Sequence, residues 1–187
     1  YEVPWGNPRA SVQGYSPRGM DIDRNGVVWT PLSSGHLASF DRRKCTGPLN
    51  GPEATGQHCP EGWTLYEEPL PKMKGITESG SSEGSYYTWV DQFDTFGLGR
   101  NVPINTGNAS EGLLALQDGE WVILRVPYPL GFYTKWMDGR IDDPDGGWKG
   151  RGVYATYGAD AAWHVEGGPV EPGNLVRFQI RPHPLAN

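Results

Sequence analysis

The chain lacks most of what would assign it quickly to a class. No window of 11–18 residues repeats apolar side chains at i, i+3, i+4 and i+7, so helix is expected to be scarce. No apolar run approaches the ~18–20 residues that span a bilayer, which excludes a helical membrane span. The longest basic block is Arg42-Arg43-Lys44, and net charge is −6, so nucleic acid and anionic membrane surfaces are poor partners. There is no Gly-x-Ser-x-Gly elbow, which removes support for a serine hydrolase. Gly97-Leu98-Gly99-Arg100-Asn101 has no third glycine in place and no following helix, so it is not a dinucleotide loop. The chain begins at Tyr1 without Met or a signal-like segment, the expectation for a processed protein or part of a longer one.

What is present points one way. Gly (27) and Pro (17) exceed their usual combined share of about 12%, and eight Trp accompany nine Tyr. Gly and Pro punctuate turns, while Trp and Tyr favour strands. The 187 residues suit one all-β domain able to bury roughly 70% of its unfolded surface.

Cys45 and Cys59 bracket thirteen polar and turn-forming residues that cannot build a core. A disulfide across this loop is expected to stabilise by up to ~3 kcal/mol and implies an oxidising compartment, periplasmic or extracellular. The spacing excludes CxxC redox and CxxCH haem motifs, and a metal pair with His58 is the competing reading.

Residues 18–70 read as four strands: PRGMDID, VVWTPL, HLASFDRR and GWTLYEEPLP. Asn25-Gly26 is expected to form a type I′ turn between the first two. Asp21-Ile22-Asp23-Arg24-Asn25-Gly26 also mimics the start of a calcium loop. Leu32 stands where its bidentate Glu is needed, so the calcium reading fails and the hairpin remains. Residues 72–85 read as an exposed linker after a first blade at 1–71. Residues 86–187 read as further blades with long insertions: YYTWVDQF, EGLLALQ and EWVILRVPYPLGFY, with Asp118-Gly119 turning between the last two. The acidic loop GRIDDPDGGWKGRG, then GVYATYG, AAWHVEG and NLVRFQIRP, complete the chain. A faint echo links Gly26–Asp41 with Gly152–Gln179, as expected of a unit used at least twice.

The first unit resembles the blade of virginiamycin B lyase-like propellers, within the wider NHL and gluconolactonase-type group. Pro17, Gly19, Met20, Ile22, Asp23, Gly26, Trp29, Phe40, Asp41, Leu70 and Pro71 carry the resemblance. It implies propeller-like blades of four antiparallel strands. With residues for two or three blades and closure needing more, the expectation is the C-terminal part of a larger propeller, or blades docked on another chain.

In that family His and Glu on inner strands work near a divalent cation. Here His164 and Glu166 sit two apart on one strand face, in the order His-x-Glu rather than Glu-x-His. Asp138, Asp142, Asp143 and Asp145 offer oxygens for Ca²⁺ or Mg²⁺. Arg125, Tyr128, Phe132 and Tyr133 offer a groove for a ring or a sugar. Three functions follow: an auxiliary propeller subunit binding a partner protein or ligand, a metal-assisted lyase or hydrolase, and an accessory subunit of a periplasmic redox complex.

Overall fold

The computed structural model describes residues 1–126, 132–157 and 174–186. Three antiparallel meanders account for its regular structure. The first has order β1-β2-β3-β4, built from Asp21–Ile22, Val28–Leu32, His36–Phe40 and Trp63–Glu67. The second runs β5-β6-β7-β8, from Thr88–Asp91, Val102–Gly107, Gly112–Gln117 and Glu120–Arg125. The third has three strands in order β11-β10-β9, from Met137–Ile141 (β9), Arg151–Tyr157 (β10) and Asn174–Phe178 (β11). Each meander is blade-like, and helix among the described residues is confined to short 3₁₀ segments. The all-β class read from composition is the observed one, as are the propeller-like blades implied by the resemblance.

The four strands expected in residues 18–70 all form, and both segments of the internal echo are hydrogen-bonded pairs, β2 with β3 and β10 with β11. The turn between β1 and β2 is different from the expected type I′. Only Gly26 has positive φ, at 79°, whereas type I′ needs it at Asn25 too. Asp23 supplies the alternative. Its Oδ1 accepts from the Asn25 and Val27 amides at 2.8 and 3.0 Å, and Gly26 N–H donates to Asp23 O at 3.0 Å. An aspartate-capped turn followed by a left-handed glycine is the three-residue hairpin loop. The two-residue turn with φ > 0 at both positions lies instead at Asp118 (51°) and Gly119 (86°), between paired Gln117 and Glu120.

Two strands were not legible. Met137–Ile141 overlaps the segment expected as an acidic loop, yet pairs along its length with β10. Gly139 explains it: a Cβ there would lie 2.1 Å from the Trp89 ring, so glycine lets β9 press against the second sheet. Val102–Gly107 contains a proline, but Pro103 pairs only with Val90 of β5 and lies outside the β7 ladder, so no sheet bond is lost there. The linker also differs from expectation. Residues 71–79 are exposed, while Gly80, Glu83 and Ser85 are buried. The chain tucks under the β2–β3 turn, with Ser81 N–H donating to Gly35 O at 3.2 Å.

The main core lies between the second and third sheets. Ile104, Leu113 and Ala115 face Met137, Val153 and Ala155, with Phe96 and Phe132 filling the ends. Alternation along the strands puts one face of each sheet into such contacts. No helix among the described residues is long and apolar enough to cross a membrane.

Cys45 and Cys59 form the expected disulfide, with Cα atoms 5.2 Å apart. The loop it closes anchors the N-terminal segment: Glu2 N–H donates to Gly56 O at 2.8 Å and Asn7 Nδ2 to Gln57 O at 2.9 Å. Reduction is expected to cost up to ~3 kcal/mol on the chain-entropy account. Urea unfolding with and without reductant checks this, and the Cys45→Ser/Cys59→Ser double variant should match the reduced protein.

Candidate functional site

The first strands of the three sheets, β1, β5 and β9, lie beside one another. The chain entering β1 runs parallel to that entering β5: Gly19 N–H donates to Tyr86 O at 3.1 Å, and Thr88 N–H donates to Gly19 O at 3.0 Å. A Cβ on Gly19 would stand 2.3 Å from the Tyr87 ring, so only glycine permits this approach. The approach puts Arg18 on Tyr86. Its guanidinium carbon lies 4.0 Å from the Tyr86 ring centre, and Nη1 donates to Ser85 O at 2.8 Å. Lys135, entering β9, brings its Nζ to 5.2 Å from the same ring and 5.9 Å from that of Tyr133.

Tyr86 and Tyr133 meet edge to face, ring centres 5.7 Å apart. A hydrogen bond with Tyr133 lowers the Tyr86 phenol from its ordinary range, and the fields of Arg18 and Lys135 add to it. Burial and the bond to Tyr86 push Tyr133 up to about 12. Three blades thus bring two cations and two phenols to one end of the inner strands.

Arg18 also lines a groove of about 670 Å³ over the outer face of the first sheet. Val28, Phe40 and Trp63 stand in register across β2, β3 and β4 and form its floor. The N-terminal segment forms the wall: Tyr1 sits 4.6 Å from the Phe40 ring, and Trp5 meets Tyr15 edge-on at 4.9 Å. These wall residues are not packed away. Trp5 is 59% exposed, Tyr1 and Met20 each 46%, and Tyr15 43%. Most of the lining is aromatic or apolar, Glu2, Ser16 and Thr30 add polar groups, and Arg18 is its single lysine or arginine.

Behind Arg18 is a buried acid. Glu68 Oε1 accepts from Ser85 Oγ at 2.8 Å and Asn105 Nδ2 at 2.5 Å, while its Oε2 is buried without a hydrogen-bond partner. Burial raises its carboxyl to about 8, so it is neutral at pH 7 and leaves the nearby Arg18 charge uncancelled. Glu83 is buried too, but four donors satisfy it: the amides of Gly84, Ala109 and Ser110 and the Ser110 hydroxyl.

His36 is fully buried, its two ring nitrogens each 3.0 Å from a hydroxyl, Ser34 at Nδ1 and Ser79 at Nε2. Burial lowers its pKa. Ser79 Oγ in turn donates to Glu67 Oε2 at 3.4 Å. Donation running Ser34 to His36 to Ser79 to Glu67 gives each of those hydrogens an acceptor. The histidine therefore fastens the loop to the β2–β3 turn and needs no catalytic role.

The residues nominated from sequence fall in several places. Asp138 and Asp142 border a cleft of about 450 Å³ on the third sheet with Trp136, Arg140 and Tyr154. Asp142 is held by Arg140 at 3.1 Å and Arg177 at 3.3 Å, and the Tyr154 hydroxyl donates to it. Asp143 caps a short 3₁₀ segment by accepting from Asp145 N–H at 2.9 Å. Among the described residues no three His, Cys, Asp or Glu converge as metal ligands. Phe132 belongs to the core, and Arg125 donates to Ser110 O at 3.0 Å. Tyr128, His164 and Glu166 lie outside the described residues. Sequence reading missed Arg18, Tyr86 and Lys135. The Tyr86-Tyr87 doublet ahead of β5 and Arg18-Gly19 ahead of β1 were the available signals.

No family model matches the chain, and no curated protein matches it. Among solved structures, the chain is similar to a streptogramin B lyase at 14% identity and a TM-score of 0.49, over 91% of this chain and 42% of the other. It is also similar to a catalytically inactive virginiamycin B lyase from Staphylococcus aureus with quinupristin: 15% identity, TM-score 0.41, 96% of this chain and 44% of that one. The chain therefore spans less than half the length of these lyases. The relationship is distant, and the fold assignment stands on the three sheets themselves.

Glu68 makes stability pH-dependent with a definite sign. Its folded pKa lies above that of an unfolded Glu, so between roughly pH 4.5 and 8 the folded state holds a proton that the unfolded state has released. Its contribution to stability therefore falls as pH rises through this window, by up to about 1.4 kcal/mol per pH unit. Glu68→Gln should flatten that slope in urea unfolding at a series of pH values.

Proposed function

We propose that the chain is a propeller-type binding module, itself non-catalytic, that takes an aromatic group of a ligand or partner protein in the groove over its first sheet. The observation that carries this reading is the groove wall: Trp5, Tyr15, Tyr1 and Met20 are large side chains left substantially exposed around one concave space of about 670 Å³. Single exposed apolar residues are ordinary, but a contiguous group around a cavity marks a binding surface. Aromatic walls supply contact area and edge-to-face partners for an incoming ring. The disulfide and the segment it anchors fit work in an oxidising compartment, periplasmic or extracellular.

The test uses p-cresol, a neutral ring, titrated calorimetrically and followed by ligand-observed NMR. Wild-type protein is expected to bind it, with Trp5→Ala and Tyr15→Ala each weakening binding about tenfold, on the order of 1–2 kcal/mol for one aromatic contact surface. Leu185→Ala, an exposed site away from the groove, should have no effect. Equal binding by all four proteins would refute the assignment of the groove.

A further inference from the structure

Arg18 and Lys135 reach the same ring from two different blades, and neither forms an ion pair with a carboxylate among the described residues. In a chain of net charge −6, two cations near one ring and without carboxylate partners make a local positive site open to an anion. Of the other four cations on aromatic rings, Lys149 and Arg181 share Trp148 within the third blade, and Arg24 and Arg177 each meet a ring of their own. Arg18 and Lys135 share Tyr86 from separate blades, and Lys135 also nears Tyr133.

We propose that the groove selects an aromatic carboxylate, its ring held among Trp5, Tyr15 and Met20 and its carboxylate received by Arg18 and Lys135 beside the Tyr86 hydroxyl. This rests on the groove being the binding surface and adds the chemistry of the ligand's end. Arg18 connects the two parts, since it borders the groove and stacks on Tyr86. A planar guanidinium suits a carboxylate, and with Nη1 committed to Ser85 O its other nitrogens remain donors for one. Lys135 is exposed and supplies a second, mobile donor at the open side. Glu68, the nearby acid behind Arg18, is protonated at neutral pH and does not compete for the guanidinium.

The decisive comparison pairs p-cresol with 4-methylbenzoate, rings of matched size that differ in charge. Calorimetry at low salt should show 4-methylbenzoate binding at least tenfold tighter, with the advantage shrinking as salt is raised. Arg18→Gln, which keeps a donor for Ser85 O, and Lys135→Ala, at an exposed position, should each remove most of that advantage, and Lys135→Ala, outside the groove lining, should leave p-cresol binding unchanged. Binding of p-cresol with no carboxylate advantage, or an advantage that survives both substitutions, overturns this inference while the groove reading stands. Failure of both probes to bind overturns both.

Discussion

The close approach of the chain at Gly19 to Tyr87 is the constraint on which the rest of the site depends. Two parallel backbone hydrogen bonds bind the entrance of the first blade to that of the second, and only a residue without Cβ fits between them. From this approach follow the stacking of Arg18 on Tyr86, the burial of Glu68 and Ser85 behind it, and the position of the groove's cationic end. A methyl group at residue 19 would push apart two segments that share few other direct bonds. Asp21 Oδ2 accepting from Val90 N–H at 2.9 Å and Gln92 Nε2 donating to Ile22 O at 2.6 Å are the next contacts along the junction.

The disulfide acts at a distance from that junction but on the same groove. Residues 1–16 have no strand of their own, and they stay against the first sheet because the closed loop offers backbone carbonyls to Glu2 and Asn7. Arg9 adds a bond to His58 O at 3.4 Å and an ion pair with Glu61 at 3.0 Å, the latter exposed and worth little by itself. The covalent loop thus anchors the segment that carries Trp5, while Tyr15 is held at the β2–β3 turn, its N–H donating to Ser34 Oγ at 3.3 Å.

Much of the fold was legible because it is written in local chemistry. Gly26 and Asp118-Gly119 mark hairpins, and the alternation in HLASF and LLALQ marks strands, so the first four-stranded meander could be sketched from sequence, and the second apart from Val102–Gly107. The failures have identifiable causes. The Asn25-Gly26 pair looked like a type I′ turn because nothing local reveals that Asp23 will cap the preceding residues. Met137–Ile141 looked like loop because its glycine is explained only by Trp89, some fifty positions earlier. The site was less legible still. Tyr133 was singled out with Arg125, Tyr128 and Phe132 as neighbours in sequence, but the rings and cations found near it are Tyr86 and Lys135, with Arg18 stacked on Tyr86. Sites assembled from the entrances of separate blades leave no contiguous motif; in the acidic run from Asp138 to Asp145, which does, Asp142 is held in ion pairs and Asp143 caps a 3₁₀ segment.

The phenol at Tyr86 reports whether this junction is built as described. A titration followed by phenolate absorbance near 295 nm should show one tyrosine ionising ahead of the others. That early step should vanish in Tyr86→Phe and move toward the ordinary range in Gly19→Ala, where Arg18 is displaced. Tyrosines that all ionise together in the wild-type protein, or an early step untouched by Gly19→Ala, would contradict the account.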